Sequence, residues 1–273
     1  MKIFKSFCLF LLAAFFLSGC IEVQTLVNVN KDGSGTLEEK VLFSKEMIEM
    51  FSSFNFADST AVKDSAAHSP FYNVKELKSE AKNKGEGVRY ISSKEIKEDG
   101  REGYVAVYGF KNINKIKVSE SPESKASLGS LQKDENKKKE YLTFNFKPGT
   151  QPEIKISMPK GKFEKPESET EVNKDTSSTG QAFAKEFLGM MKDFKFSLAV
   201  NVKGKIVNTN ATYVDGSRVT LFDVEFGKLL ENKDKMDELN NLKDYNLEKM
   251  KELLKGMPGV KIELNNPVTV KFE

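Results

Sequence analysis

The segment that most limits how this chain can fold is Leu17-Ser18-Gly19-Cys20, because it marks where the folded part can begin. Lys2 and Lys5 precede an apolar run, Cys8 to Leu17, that is too short to span a bilayer comfortably. An ordinary secretory signal ends in small residues, whereas this one ends in a thiol that can accept a diacylglycerol. The segment therefore predicts a lipobox, with residues 1 to 19 as a cleaved lipoprotein signal peptide and Cys20 as the lipidated residue.

Cysteine usage limits the chemistry of the rest of the chain. The sequence has 2 cysteines. Once Cys8 leaves with the signal peptide and Cys20 carries acyl chains of the palmitate kind, no thiol remains for a disulfide, a zinc cluster or nucleophilic catalysis. The alternative is a plain signal peptide, or a short anchor helix, with a chance cysteine. No later run is long and apolar enough to cross a membrane, so the sequence predicts a body tethered at one end.

Charge excludes one class of partner. The formal net charge of the 273 residues is +3, and it falls close to neutral when Lys2 and Lys5 are removed. Such a chain lacks the concentrated basic surface that binds nucleic acid, so no nucleic-acid partner is expected. The Lys137-Lys138-Lys139 run could bind anionic lipid, but the flanking Glu135 and Glu140 favour a solvated linker. The length allows one large domain or two small ones.

Strand and turn patterns dominate the chain. Residues 21 to 43 and 87 to 111 each predict a hairpin, with glycine turns at residues 31 to 35 and 99 to 103. Further strands are expected at 140 to 147, 153 to 158, 194 to 202, 219 to 226, 260 to 264 and 268 to 272. Helices are expected at 45 to 54, 73 to 84, 181 to 193 and 233 to 255. The expected fold class is α+β, with a mostly antiparallel β-sheet built from hairpins and packed amphipathic helices.

Three polar stretches interrupt this pattern, at about 55 to 72, 119 to 139 and 159 to 180. The first is polar with many small residues, the second is rich in serine, lysine and glutamate, and the third is polar without an apolar period, so loops are expected there. Residues 20 to 273 are therefore expected to form one lipid-anchored ectodomain. The stretch at 159 to 180 is the candidate subdomain boundary.

The best candidate for a ligand groove comes from two helices with apolar stripes. Met47 and Phe51 lie on the first, and Phe187 and Met190 lie on the second. Flexible methionines and large aromatic rings suit an adaptable apolar groove. The same residues can equally fill a core, which is the usual role of such a stripe.

The sequence offers few candidates for catalysis or metal binding. Asn28 to Glu39 has the length of a calcium loop, but its flanks predict strands where a calcium loop of this kind needs helices. His68 is the single histidine and lies in a polar loop, so a histidine-rich metal site is excluded. Asp223 and Glu225 share one strand face and could act as paired carboxylates, although that face is expected to point to water. No metal, cofactor or catalytic residue is expected.

Two regions resemble a known family. The residues Gly204-Lys205-Ile206-Val207-Asn208-Thr209-Asn210-Ala211, followed by Asp215-Gly216-Ser217-Arg218-Val219-Thr220-Leu221, resemble the closing hairpin of LppM-like bacterial lipoproteins. The start of the chain is similar as well: Cys20, a strand, Asp32-Gly33-Ser34-Gly35 and a helix capped by Ser44. The resemblance implies a lipid-tethered α+β ectodomain, with lipid or envelope binding suspected. It implies no catalytic residue.

The functional prediction is a non-enzymatic envelope lipoprotein that binds a lipid or an envelope protein. The alternatives are a carboxylate-dependent hydrolase of envelope polymers and a purely structural envelope protein. The membrane is the expected partner, through Cys20, and the sequence leaves the oligomeric state open. Ile21 replaces the aspartate that retains some lipoproteins at the inner membrane, which favours the outer membrane.

Overall fold

The computed structural model describes residues 21–53, 71–119, 141–159, 194–232, 234–235, 238 and 247–273. The strands in these residues are β1 Ile21–Val29, β2 Gly35–Ser44, β3 Arg89–Glu98, β4 Arg101–Phe110, β5 Val118–Ser119, β6 Tyr141–Lys147, β7 Glu153–Ser157, β8 Phe194–Val202, β9 Ile206–Thr209, β10 Val214–Asp215, β11 Arg218–Glu225, β12 Val260–Ile262 and β13 Val268–Phe272. The α-helices are α1 Lys45–Ser53, α2 Val74–Glu80, α3 Phe226–Glu231 and α4 Leu247–Leu254, and 3-10 turns cover Ala81–Lys84 and Ile113–Lys115.

Eight of the described strands form one sheet, which we call the large sheet. Its order is β10-β11-β8-β1-β2-β4-β3, and β12 pairs with β11 outside this path. Neighbouring strands run antiparallel, except that β1 and β8 run parallel from the Ile21–Phe194 pair to the Val29–Val202 pair. The first described strand therefore lies in the middle of the sheet.

Five further described strands form the small sheet, in the order β5-β6-β7-β13-β9, with antiparallel pairing throughout. Each sheet contains strands from before and after the polar stretch at 159 to 180. Alternate side chains of both sheets are buried in one continuous core, as the period of two in a strand requires. The large sheet contributes residues such as Val23 and Val27 to this core. The small sheet contributes Ile154, Ile156 and Val270.

The α2 segment, which we define as residues 71–84, covers the inner face of β2, β4 and β3. The ring of Phe71 stacks on Phe43 of β2 at a centroid distance of 4.1 Å. Asn73 caps α2 by accepting hydrogen bonds from two backbone N–H groups of the first turn, at 3.0 and 3.2 Å. Gly85 ends the segment with φ +129°, where an added Cβ would lie 2.3 Å from the Lys115 carbonyl oxygen. This close approach requires glycine.

A smaller apolar cluster lies beside the main core. It joins the end of α4 to β12 and the residues that follow, and α3 packs against it. Gly256, with φ +74°, follows α4, in agreement with the predicted end of that helix.

The α+β class, the mostly antiparallel pairing and the hairpin building blocks are confirmed. The helix predicted at 45 to 54 is present as α1, with the Ser44 hydroxyl accepting from the Met47 N–H at 3.3 Å. The helix predicted at 73 to 84 is split into α2 and a 3-10 turn. Residues 1 to 20, most of each predicted polar loop, the helix at 181 to 193 and most of the residues from 233 to 246 lie outside the described residues.

One strand prediction is wrong in detail. The strand predicted at 219 to 226 ends at Glu225, because Phe226 is the first residue of α3. Leu221 forms a bulge against β8 and is fully buried, so the side-chain alternation reverses within the strand. Phe222 is consequently only half-buried.

Candidate functional site

The predicted lipidation site directly precedes the first described strand in the sequence. Cys20 and the lipobox residues Leu17, Ser18 and Gly19 are outside the described residues, and β1 begins at the next position. Ile21 is 2% exposed and pairs with a residue of β2 on one side and of β8 on the other. Cleavage before Cys20 would therefore leave β1 complete.

The structure describes only part of the predicted ligand groove. The Met47 side chain is 1% exposed and belongs to the main core. Met47 does not line either of the two cavities that border Asp223 and Glu225. The side chain of Phe51 is outside the described residues, as are Phe187 and Met190. Met47 thus has the packing of a core residue, and the groove as a whole stays a prediction.

The predicted acid pair lies beside two small cavities on the outer face of the large sheet. Asp223 and Glu225 border both cavities, which have volumes of about 190 and 180 Å³. Glu22 of β1 borders the second cavity. We call these three acids the carboxylate patch. Part of the geometry that a carboxylate-dependent hydrolase needs is therefore present, namely acids on one face beside a concave surface.

Lysines neutralise the two acids of β11. Glu225 contacts Lys228 at 2.9 Å and Lys195 at 3.6 Å, and Asp223 contacts Lys261 at 3.8 Å. Partial burial would raise the pKa of Glu225, but the hydrogen bond from Lys228 and the charges of Lys195 and Lys228 outweigh it and lower the pKa. A general acid at neutral pH needs the opposite shift. This electrostatic setting favours permanently charged, ion-paired carboxylates.

Glu22, the third acid of the carboxylate patch, is paired as well. Arg101 of β4 donates to its carboxylate, and Lys40 of β2 lies 3.8 Å away. The Glu22 and Arg101 residues are each 7% exposed, so this pair is largely removed from water. A buried pair of this kind links strands that are not adjacent in the large sheet.

A second polar cluster is buried between the α2 segment and the large sheet. The Glu39 carboxylate, on a residue 4% exposed, lies 2.5 Å from the Lys84 ammonium. The Lys84 ammonium also lies 5.3 Å from the ring centroid of Tyr108. Tyr108 is 0% exposed, and its hydroxyl has no hydrogen-bond partner within the part of the chain that the structure describes. Tyr90 and Tyr104 complete the cluster.

The pKa shifts in this cluster follow from burial and from its two acids. Burial alone would lower the pKa of Lys84, but Glu39 and Glu80 together raise it above its ordinary value. Burial raises the pKa of Glu80, and the Lys84 charge offsets this only in part. Burial, with the nearby Glu39 and Glu80 charges, also raises the pKa of Tyr104 and Tyr108. These shifts favour a charged Lys84 ammonium and protonated Tyr104 and Tyr108 hydroxyls.

A third buried acid, Glu263, is stabilised by hydrogen bonds from its neighbours. Glu263 is 0% exposed and accepts hydrogen bonds from the Thr212 hydroxyl at 3.1 Å and the Asn265 backbone N–H at 2.8 Å. The Thr212 backbone N–H donates to the same carboxylate. These donors satisfy the charge and join the loop after β9 to the loop after β12.

The candidate calcium loop is a hairpin turn. The Asp32 carboxylate accepts from the Ser34 N–H and hydroxyl at 3.0 and 2.7 Å, and Glu39 lies in β2 and binds Lys84. In the described residues, no three His, Cys, Asp or Glu side chains are grouped closely enough to hold a metal ion. His68 is outside them. No helix among the described residues has the length and apolar character to cross a bilayer.

The sequence pattern does not predict the Glu39–Lys84 and Glu22–Arg101 pairs. One signal for the first pair was available, since Glu39 occupies an inward position between Leu37 and Val41 in the alternation of β2. An acid at such a position needs a buried partner. The second pair had no local signal, because its residues are 79 positions apart.

No family model and no curated protein matches the chain. The solved structures include one neighbour that bears the name of the family that the hairpin sequences resemble. The chain is similar to the folded domain of LppM from Mycobacterium tuberculosis, solved by NMR, with a TM-score of 0.33 and 8% sequence identity. The similarity covers 94% of this chain and 92% of that one.

Proposed function

We propose that this protein is a lipid-anchored bacterial envelope protein, held at a membrane through Cys20. One observation carries the proposal: the lipobox Leu17-Ser18-Gly19-Cys20 ends at the residue before a fully paired central strand. The predicted cleavage point thus directly precedes the first described strand. A strand that begins at Ile21 suits a mature chain whose first residue, Cys20, is lipidated.

Metabolic labelling with an alkyne-tagged fatty acid tests the anchor. The full chain, expressed in a bacterium, should incorporate the label, and Cys20→Ser should abolish incorporation. Cys8→Ser is the matched control, because it removes the other cysteine and lies in the part that is cleaved off. Retention of the label in Cys20→Ser, or its loss in Cys8→Ser alone, would contradict the proposed anchor.

We further propose that the ectodomain is a non-enzymatic module that binds a lipid or an envelope protein. The carboxylate patch supports a role without catalysis, since its three acids are each paired with lysine or arginine. The lowered pKa of Glu225 is likewise unsuited to proton donation at neutral pH.

Native mass spectrometry of the lipidated chain, followed by organic extraction, tests the binding role. A lipid present in stoichiometric amount, beyond the one attached to Cys20, would support lipid binding. Replacing Met47 with alanine separates the two roles of that residue, because loss of bound lipid with unchanged stability indicates a groove. Loss of stability with no bound lipid in the parent protein would contradict the groove and leave an envelope protein or a structural role.

The cavities beside Asp223 and Glu225 keep a hydrolase of envelope polymers as the second candidate. Its test is the release of soluble fragments from purified cell-wall polymer. Fragment release that is lost in both Asp223→Asn and Glu225→Gln, with retained folding, would establish the hydrolase and contradict the non-enzymatic role. We expect no release from the parent protein.

A further inference from the structure

The register of the large sheet places five strand ends together. Ile21 pairs with Phe43 and Phe194, Ser44 pairs with Arg101, and Lys195 pairs with Glu225. We call this edge the Ile21 end. At the opposite edge, the Val29 end, Val29 pairs with Gly35 and Val202, and Gly35 pairs with Phe110. The turn at residues 30–34 lies beyond the Val29 end.

The two ends are well separated. β1 has 9 residues, which at about 3.3 Å per residue separates its first and last Cα atoms by about 26 Å. That separation is comparable to the thickness of the hydrocarbon core of a bilayer. A probe at one end is therefore distinguishable by depth from a probe at the other.

The predicted lipid leaves little slack at the Ile21 end. Cys20 is the residue immediately before β1, and one residue of extended chain spans at most about 3.6 Å. Fraying β1 would add slack only by exposing Ile21 and Val23, which are 2% and 0% exposed, and by breaking pairs on both sides. The anchor therefore holds the Ile21 end close to the lipid headgroups.

We propose that the Ile21 end of the large sheet faces the bilayer and the Val29 end points away from it. The strands then run away from the membrane surface, with the turn at residues 30–34 at the far end. The inference rests on the proposed lipid anchor at Cys20 and specifies which surface of the protein that anchor brings to the membrane.

The covalent tether, and not charge, sets this orientation. Among the described residues, several cations near the Ile21 end have acidic partners: Lys45 pairs with Glu49 at 3.6 Å, Lys97 with Glu102 at 2.9 Å, and Lys195 with Glu225 at 3.6 Å. Arg101 pairs with Glu22. Such pairs cancel the attraction that a polybasic surface has for anionic lipid. The orientation should therefore be the same on neutral and anionic membranes.

Matched single-cysteine probes test the orientation. With Cys8 cleaved off and Cys20 alkylated by the anchor, an introduced cysteine is the only free thiol of the mature chain. Lys97→Cys lies near the Ile21 end, and Lys31→Cys lies in the turn beyond the Val29 end. Both replace an exposed lysine, so the charge change is the same. Each lipidated protein is labelled with a fluorophore and reconstituted in phosphatidylcholine vesicles that carry a headgroup quencher.

The probe at position 97 should be quenched several-fold more strongly than the probe at position 31. A second pair guards against a local effect, with Lys45→Cys near the Ile21 end and Lys111→Cys just after β4. Equal or reversed quenching in both pairs would overturn the orientation. A quenching ratio that changes when anionic lipid or salt is added would overturn the tether as its cause.

Failure of the anchor is separable from failure of the orientation. The same samples are examined for the mass of the lipidated N-terminal peptide and for flotation with the vesicles. Absence of both would overturn the proposed anchor and this inference with it. Presence of both, with equal quenching at the two ends, would overturn the orientation alone.

Discussion

The Lys84 ammonium and the Glu39 carboxylate meet at 2.5 Å beneath the α2 segment, where their side chains are 14% and 6% exposed. Removing one member of such a pair leaves the other charge buried without its nearest counter-ion. We expect Lys84→Met to lower the free energy of unfolding by about 3 kcal/mol, measured by urea denaturation at pH 7.

Lys97→Met is the matched control for this loss. Lys97 contacts Glu102 at 2.9 Å, but its side chain is 66% exposed. Solvent screens such a surface pair, so Lys97→Met should lower the free energy of unfolding far less than Lys84→Met does. Equal losses in the two variants would show that the Lys84 pair is not buried as described.

The Tyr108 hydroxyl gives a prediction of the opposite sign. It is buried and has no hydrogen-bond partner among the described residues, so its removal costs no hydrogen bond and relieves an unsatisfied group. Tyr108→Phe should leave stability unchanged or raise it by up to about 1 kcal/mol. Tyr90→Phe should lower it by about 1 kcal/mol, since the Tyr90 and Ser93 hydroxyls share a hydrogen bond of 2.7 Å. Denaturation curves of the two variants that shift the same way would contradict this assignment.

The sequence predicts side-chain burial where the alternation along a single strand determines it. Tyr104, Ala106, Tyr108 and Phe110 occupy alternate positions of β4, and all four are buried. It could not predict that the Tyr108 hydroxyl lacks a partner, because that depends on how the α2 segment packs over β4. Asp223 and Glu225 were expected to point to water, and they are 46% and 30% exposed on the outer face. Their lysine partners lie in β8, α3 and β12. The residue pattern of β11 does not predict these partners.

At the scale of elements, hairpins were predictable and distant pairing was not. The turns at Asp32-Gly33 and Asp99-Gly100 fix the β1–β2 and β3–β4 pairs locally. The parallel β1–β8 pair joins segments that are far apart in the sequence. Asn201 donates a hydrogen bond to Asn28, which is 173 positions earlier in the chain. No turn residue encodes such a pair. The bulge at Leu221 was equally hidden, since it depends on register against β8.

Hydrogen exchange tests the central position of β1. β1 is paired on both sides along its whole length, whereas β3 is an edge strand of the large sheet in the described residues. Amides of residues 21–29 should therefore exchange at least about tenfold more slowly than those of residues 89–98, as protection follows pairing and burial. Mass spectrometry of peptic fragments gives both rates in one experiment. Equally fast exchange in the two strands would contradict the strand order.

At the scale of the whole molecule, the sequence predicted the class of fold but not its division into two sheets. Strands β6, β7 and β13 have the same alternation as those of the large sheet, so nothing local assigns them to a separate layer. The layers follow from pairing between strands far apart in the chain, such as Val268 with Ile156. The carboxylate patch has the same origin, because β1 and β11 both flank β8.

The stability of the whole molecule should fall steeply at alkaline pH. Burial and the nearby acids raise the pKa of Tyr104 and Tyr108 above the ordinary value of 10.0, and the two acids raise that of Lys84, against the effect of its burial, above 10.5. A group whose pKa is higher in the folded than in the unfolded protein stabilises the fold fully below the unfolded pKa and loses this contribution as pH rises. Stability should therefore be retained up to about pH 10 and then fall by about 1.4 kcal/mol per pH unit for each buried tyrosine.

Urea denaturation between pH 7 and 11, followed by circular dichroism and by tyrosinate absorbance, measures this dependence. Tyr104→Phe supplies the control, because phenylalanine cannot ionise and the slope above pH 10 should become shallower by the share of one tyrosine. Both tyrosines lie under the α2 segment, so their ionisation should accompany unfolding of the whole core and not precede it. Tyrosinate absorbance that rises fully while the circular dichroism stays native would show that these hydroxyls are open to solvent, contrary to their burial between α2 and the large sheet.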